Sequence, residues 1–426
     1  MKFDIWNDCP KMPLPDVLSF IVDNRGKTVP TTKEGRILIA TNCVRNENLY
    51  PSYEKIRFLS EETYQNWFRA HPLPGDILFV CKGTPGRCCL VPDPLDFCIA
   101  QDMVALRANP DIVYNYFLLA VLRSRNIQLQ ITNTSVGDVI PHFKKSFFDR
   151  IMIPVPPMEI QKVIGDYYMA ISNKIELKKK INDKLLQQAQ CVFIDWFVRF
   201  TPFIDDEFVV SPIETRIPKS LSMMQIADVP HILETGRRPK GGAADSGIPS
   251  VGAENVKQLG KFDFSSKKFI PEDFAAKQKA GRINGYELLL YKDGGKPGTF
   301  IPHFSMFGEG FPYRELFINE HVFKLDFFDR GKNIFAYFYM QTDYATNWLA
   351  NNGGKAAIPG INQKDVRAIW IYDMDHPQVQ RFCRWVEPLF KTIFCNCYEN
   401  MRLADLRDTL LPKLMNGEID VSSIHI

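Results

Sequence analysis

Two long stretches of the chain carry a helical stripe. Between Met158 and Val198 apolar residues recur at 160, 164, 167, 171 and 175, then at 181, 185, 189, 192 and 196. Steps of three and four put these positions on one helix face, and Lys178-Lys179-Lys180 interrupts the stripe. A helix of that length spans about 60 Å, which exceeds the width of a domain of ~150 residues with a radius of gyration of about 15 Å. The second stripe runs through Val379, Phe382, Val386, Leu389, Ile393, Cys397, Met401, Leu406, Leu410 and Leu414. Pro388 lies inside it and predicts a kink or a split, and Gly417 is placed to stop it. An apolar stripe on each of two long helices needs a partner, and the economical one is the other helix, packed as a coiled coil. The alternative is that each helix packs only on its own globular half.

The remaining sequence reads as short apolar runs separated by Gly, Pro and Lys turns, and it repeats at about half the chain length. Asp16-Val17 corresponds to Asp228-Val229, each followed by an apolar run and a basic loop: Asn24-Arg25-Gly26-Lys27 in one half, Gly236-Arg237-Arg238-Pro239-Lys240 in the other. The run Gly75–Gly86 mirrors Gly285–Gly298, each a strand entering a loop of Lys and Gly, with Lys82 set against Lys292. Ile99-Ala100-Gln101 matches Ile318-Asn319-Glu320, Asn115-Tyr116-Phe117 matches Ala336-Tyr337-Phe338 at the opening of a helix, and Ile140-Pro141 matches Ile358-Pro359. A repeat of this length means two copies of one domain.

The 426 residues suit two or three domains, and 45% hydrophobic with 24% charged residues excludes a disordered or fibrous chain. No apolar run is long enough to span a bilayer, the first residues lack a signal peptide's apolar core, and a cytoplasmic location is expected. The ten cysteines show no C-x-x-C, so reduced thiols, several in cores, are expected and no metal site. Lys and Arg number 52 against 49 Asp and Glu, a net +3 that neither requires nor excludes nucleic acid.

Catalytic machinery is hard to find. Asn109-Pro110-Asp111-Ile112 has isoleucine where a base-stacking aromatic would be needed, and reads as a turn. Gly294-Gly295-Lys296-Pro297-Gly298-Thr299 fails the P-loop spacing. The seven histidines are scattered. The basic, glycine-bearing loops are better placed for DNA: glycine lets backbone N–H groups approach phosphates, Lys and Arg neutralise them, and Arg reads guanine. The candidate DNA-binding residues are Arg25, Lys27, Lys82, Thr84, Arg87, Arg237, Arg238, Lys240, Lys292, Lys296, Thr299 and Lys355. Gln101, Asn319, Thr132–Ser135 and Asn351–Gly354 are further polar positions expected in or near these loops. For any one of these residues an ordinary solvated turn is an equally open reading.

Three segments resemble the specificity subunit of a Type I restriction-modification enzyme. Ile153-Pro154-Val155-Pro156-Pro157-Met158-Glu159-Ile160-Gln161 is similar to that family's I-P-x-P-P-x-x-x-Q approach to its first helix. Arg216-Ile217-Pro218-Lys219-Ser220 resembles the opening of its second recognition domain, and Leu411–Ile419 the end of its second helix. Ile371–Gln380 departs by lacking the double proline, which leaves the start of the second helix open. The resemblance implies an α+β chain: two α/β-mixed globular target recognition domains separated by two long antiparallel helices forming a coiled coil, with an internal two-fold repeat. The implied divisions are 1–157 for the first domain, 158–200 for the first helix, 201–375 for a linker and the second domain, and 376–426 for the second helix and a tail. It further implies a non-catalytic subunit that reads a bipartite, asymmetric site on double-stranded DNA. Its partners would be two methyltransferase subunits and restriction/translocase subunits, as part of a DNA adenine-N6 methyltransferase and site-specific deoxyribonuclease complex. S-adenosylmethionine, ATP and Mg would then sit on those partners and no cofactor on this chain. The rivals are a DNA-recognition subunit of a Type II-like modification enzyme, and a helical assembly scaffold that does not bind DNA.

Overall fold

A computed structural model of the chain describes residues 3–24, 27–135, 141–264, 267–294, 296, 298–354 and 359–419. It divides into two compact units, Met1–Leu177 with Arg402–Ile426, and Lys178–Met401.

The first unit contains, in chain order, β1 (Lys11–Pro13), β2 (Leu18–Val22), β3 (Arg36–Ile39), β4 (Arg57–Leu59), α1 (Glu61–Asn66), β5 (Ile77–Val80), β6 (Cys88–Leu90), β7 (Phe97–Ile99), β8 (Met103–Ala108), α2 (Asn115–Arg123), α3 (Arg125–Thr134) and β9 (Met152–Pro154). Its α4 (Met158–Phe197) runs on into the second unit. The second unit then holds β10 (Phe208–Val210), β11 (Arg216–Pro218), β12 (Met223–Gln225), β13 (Ile232–Thr235), β14 (Ile248–Val251), β15 (Phe269–Ile270), α5 (Glu272–Ala276), β16 (Leu288–Tyr291), β17 (Phe304–Ser305), β18 (Phe317–Ile318), β19 (Val322–Asp326), α6 (Arg330–Tyr339), α7 (Asp343–Gly353), α8 (Gln363–Arg367) and β20 (Trp370–Tyr372). Last comes α9 (Pro377–Met415), which returns to the first unit.

The two units repeat one topology. A four-stranded antiparallel sheet has the order β2-β8-β5-β6 in one and β13-β19-β16-β17 in the other. A three-stranded sheet follows as β4-β3-β7 and β15-β14-β18, in each case with one parallel pair, and β1-β9 is matched by β12-β20. The hairpin β10-β11 has no described counterpart in the first unit. The central strand explains its own composition. Ile77 and Phe79 of β5 face a core shared with α2, while Leu78 and Val80 face another shared with β3 and β7. Both faces are therefore buried, and the strand is a continuous apolar run rather than an alternating one. In β16, Leu288 and Leu290 divide from Leu289 in the same way.

Caps mark matching helix starts: the Ser124 hydroxyl accepts from Ile127 N before α3, and Thr342 accepts from Ala345 N before α7. Asn115 opens α2 whereas Ala336 lies within α6, so that sequence pairing is corrected. Each long helix approaches an earlier helix closely, α4 to α2 and α9 to α6, and glycine relieves the contact on opposite partners. A side chain at Gly165 of α4 would meet Phe117 N at 2.7 Å, and one at Gly331 of α6 would meet Cys383 Cβ at 2.6 Å.

Gln161, the polar end of the proline-rich approach, is 1% exposed. Its amide accepts from Tyr114 N and donates to Ile112 O and Pro156 O, tying the start of α4 to the turn before α2. Gln380 repeats part of this by donating to Met374 O at 2.7 Å, without the double proline.

Within each unit the two long helices run antiparallel. Tyr168 faces Arg407 in the first, and Asn182 faces Asn396 and Phe193 faces Phe382 in the second. Pro388 does not split α9 into two helices: it sits on the exposed side, so the carbonyl freed by its missing N–H faces water. The expected stripe is also corrected past the lysine run. Ile181 is 40% exposed and Leu406 46%; Ala189 is buried as expected, and Phe193, Phe197 and Arg407, outside the expected stripe, are buried too. No helix among the described residues is long and apolar enough to cross a membrane.

Candidate nucleic-acid interface

Each central strand delivers its loop to an equivalent position within its own unit. In the first unit Cys81 N donates to Asp102 O, Phe143 N to Cys81 O and Gly83 N to Pro141 O, at 2.8–2.9 Å. In the second, Lys292 N donates to His321 O, Ile361 N to Lys292 O and Gly294 N to Pro359 O, at 2.8–3.0 Å. These tethers pair Cys81 with Lys292, Lys82 with Asp293 and Gly83 with Gly294. The sequence pairing of Lys82 with Lys292 is thus off by one residue, and in extended backbone one residue reverses the direction of the side chain. Gly83 and Gly294 both have positive φ, +86° and +127°, and a side chain at 294 would collide with the Tyr291 hydroxyl at 2.1 Å.

The loops therefore carry different charges at equivalent positions. Lys82 stands where Asp293 stands, Gln101 where Glu320 stands, and Asp102 where His321 stands. Lys27 and Lys82 are exposed, Thr84 and Arg87 half-buried, and none of these side chains is ion-paired among the described residues. Gly86 N donates to Val80 O and Val80 N to Arg87 O, closing the loop as a hairpin. A side chain at Gly86 would press on the Gln128 amide at 2.9 Å.

In the second unit Lys292 is taken up by structure. Its ammonium donates to Glu320 O at 3.0 Å, lies 3.4 Å from Asp293 Oδ2 and rests over the Phe323 ring. Lys292 is a strut in this state rather than a free phosphate ligand. His321 sits between two carboxylates, with Nδ1 at 2.5 Å from Asp293 Oδ1 and Nε2 at 3.3 Å from Glu320 Oε1. The same Glu320 oxygen lies 3.7 Å from Arg238 Nη1. Arg237, Arg238, Lys268, Asn319, Glu320 and His321 line one cleft of about 120 Å³. Arg237 and Lys240 are exposed beside it, and Lys296 and Thr299 are exposed on their own loop.

Asn319 is a structural residue here, its Oδ1 accepting from His321 N at 2.9 Å. Thr132 and Thr134 are not loop residues: they lie in α3, their hydroxyls donating to Gln128 O and Gln130 O. Asn351 to Gly353 likewise end α7. Both segments are polar helix ends, which composition alone does not distinguish from loops. Arg25 and Lys355 lie outside the described residues. The sequence reading passed over Asp293, Glu320, His321 and Lys268. The signal available for them was the charge pattern of the repeat, once aligned in its true register.

A family model described as the Type I restriction modification DNA specificity domain matches residues 27–187. The chain is 26% identical over 319 residues to the Type I restriction enzyme MjaIX specificity subunit of Methanocaldococcus jannaschii, covering 74% of this chain and 71% of that one. It is 23% identical over 398 residues to the HindI specificity subunit of Haemophilus influenzae, covering 81% and 86%. Over most of its length the chain is thus similar to Type I restriction-modification specificity subunits. Its fold is also that of a solved S subunit from M. genitalium, with a TM-score of 0.53, 16% identity, and 97% of this chain and 98% of that one covered. The specificity domain contains the loop from Lys82 to Arg87 and the Gln161 staple. The second unit carries the same topology with its own loop chemistry. Specificity subunits are non-catalytic members of complexes with other subunits and DNA.

Proposed function

We propose that this specificity subunit reads a bipartite, asymmetric DNA site, one half through each unit, and addresses its partner enzymes to that site. What carries the reading is the repeated fold with unlike loops. Two tethered loops of one topology hold Lys82 and Asp102 in one unit, and Asp293 and His321 in the other. A duplicated scaffold gives two readers, and different side chains at matched positions give them different half-sites. Lys27, Lys82, Thr84 and Arg87 serve the first half-site, and Arg237, Arg238, Lys240, Lys296 and Thr299 the second. Lys292 contributes by fixing its loop. The partners are two methyltransferase subunits, which bind S-adenosylmethionine and act on adenine N6, and restriction/translocase subunits that use ATP and Mg. A modest net charge suits a subunit whose partners share the phosphate contacts.

Modified-base sequencing of a host with and without this chain tests the reading. Loss of one bipartite N6-methyladenine motif is the expected result, and an unchanged methylome would refute it. Replacing residues 1–157 by another recognition domain should change one half-site only. A log–log plot of affinity against salt with a slope near zero would replace DNA reading by the assembly scaffold.

A further inference from the structure

The second unit holds one arginine in a built setting. Gly236 opens its loop where no side chain fits, since a Cβ would lie 1.7 Å from Ile318 O. Gly242 N donates to Pro239 O at 3.1 Å and closes the loop into a turn. Gly241 and Gly242 have φ of +94° and +97°, and the place of a Cβ on Gly242 is 3.2 Å from Arg238 Nη2. The guanidinium is thus seated against bare backbone on one side. On the other it faces Glu320, which is bonded through His321 to Asp293, itself beside Lys292. Two carboxylates and an imidazole in series lead from a strut lysine to a 63% exposed arginine at the lip of a cleft. A freely hydrated surface arginine needs none of this. An arginine that must present its fork in one orientation does, because bidentate recognition of guanine O6 and N7 depends on the plane of the guanidinium as well as its charge.

We propose that Arg238 is the guanine-reading residue of the second half-site, with Glu320, His321 and Asp293 as positioning residues that aim its fork. This rests on the reading of the chain as a DNA specificity subunit. The first unit has Gln101, Asp102 and Lys82 at the positions of Glu320, His321 and Asp293, so it lacks the acidic buttress. Among the described residues the Glu–His–Asp series occurs in the second unit and is not repeated at the matched positions of the first. Nearby Lys240 is exposed and in no ion pair among the described residues, and it serves as the comparison for a contact through charge alone.

The test uses the full chain co-expressed with its methyltransferase subunits, read by modified-base sequencing and by methylation rates on cognate and single-substituted duplexes. Arg238→Lys keeps the charge and removes the fork. It should relax discrimination at one G·C pair of the second half-site by about 10- to 100-fold, leaving the first half-site unchanged. Glu320→Gln should erode discrimination at that same pair several-fold, and His321→Gln likewise. Lys240→Ala should slow methylation of all sites alike with no change of motif. Retention of full discrimination by Arg238→Lys would overturn the assignment, as would a uniform loss resembling that of Lys240→Ala. An effect of Glu320→Gln at a different base pair would remove the positioning role. If the wild-type complex produced no motif at all, the DNA-specificity reading itself would fall, and this inference with it. An unaltered wild-type motif in the Arg238→Lys strain would sink the inference alone.

Discussion

At one end of the helix pair of the second unit the apolar seam gives way to polar side chains. Asn396, 8% exposed, donates its amide to Asn182 Oδ1 at 2.8 Å and accepts from Lys178 Nζ at 3.0 Å. Lys178 also pairs with Glu399 at 2.7 Å, and Asn182 donates to Ile393 O at 3.1 Å. Polar pairs in such seams fix register at some expense of stability. Asn396→Leu removes the described partner of Asn182 Oδ1 and one of two partners of Lys178. A half-buried unpaired amide oxygen costs about 1–3 kcal/mol, and Lys178 keeps Glu399, so the single change should destabilise by about 1–3 kcal/mol. Asn182→Leu strands the Asn396 amide in the same way and should cost about as much. Replacing both by leucine removes donor and acceptor together, and the pair should be much less costly than the sum of its parts, with a coupling of at least about 1 kcal/mol. Guanidinium titration followed by tryptophan fluorescence is suited to this. Trp196 and Trp385 both flank Phe382 in the same helix pair. Additive effects of the two single substitutions would show that the asparagines do not act as a pair. A double variant less stable than either single one would show that they do more than satisfy each other.

Three further outcomes follow from buried groups. Asp76 is 3% exposed and holds Arg107 through two bonds of 2.9 Å while accepting from Leu73 N, so Asp76→Asn should lower stability by about 1–3 kcal/mol, the partly exposed arginine limiting the loss; an unchanged denaturation midpoint would refute this. Thiol titration of the native chain should find Cys191 and Cys395 reactive first and the six buried cysteines silent until unfolding, since burial pushes thiols such as Cys81 and Cys98 up to about 12; prompt reaction of more than four would contradict the core placement. Burial holds His71 and His303 below the usual imidazole range, so the unfolded chain takes up protons first as pH falls. Stability from these groups is present above about pH 6.5 and is lost below it. Denaturation midpoints between pH 5 and 7 should therefore rise with pH, and His71→Asn with His303→Asn should flatten the slope.

The repeat, the long helices and the basic loops were all legible in the sequence, and each was legible for a physical reason. Strands buried on both faces show as apolar runs, helices with one buried face show as stripes, and turns need Gly and Pro. The failures share a reason too. Lys82 and Lys292 were aligned by identity, but the backbone tethers set Lys82 against Asp293, because the hydrogen-bond register rather than the residue type defines equivalence. Pro388 reads as a helix breaker until its exposed position is known, since the same lost hydrogen bond costs little when water replaces it. Lys178 to Lys180 show in the sequence only as an interruption of the stripe, yet Lys178 turns back to Asn396 and Glu399 across the helix pair. Most telling is the second-unit cleft. Arg238 was recognisable as a basic loop residue, but the residues that aim it, Glu320, His321 and Asp293, come from positions distant in sequence and look unremarkable one by one. A readout of DNA bases depends on the direction in which a side chain is held. Direction is set by partners brought together only by the fold. The sequence could therefore name the reader's charge, while the difference between a base contact and a phosphate contact rests on the buttress behind it.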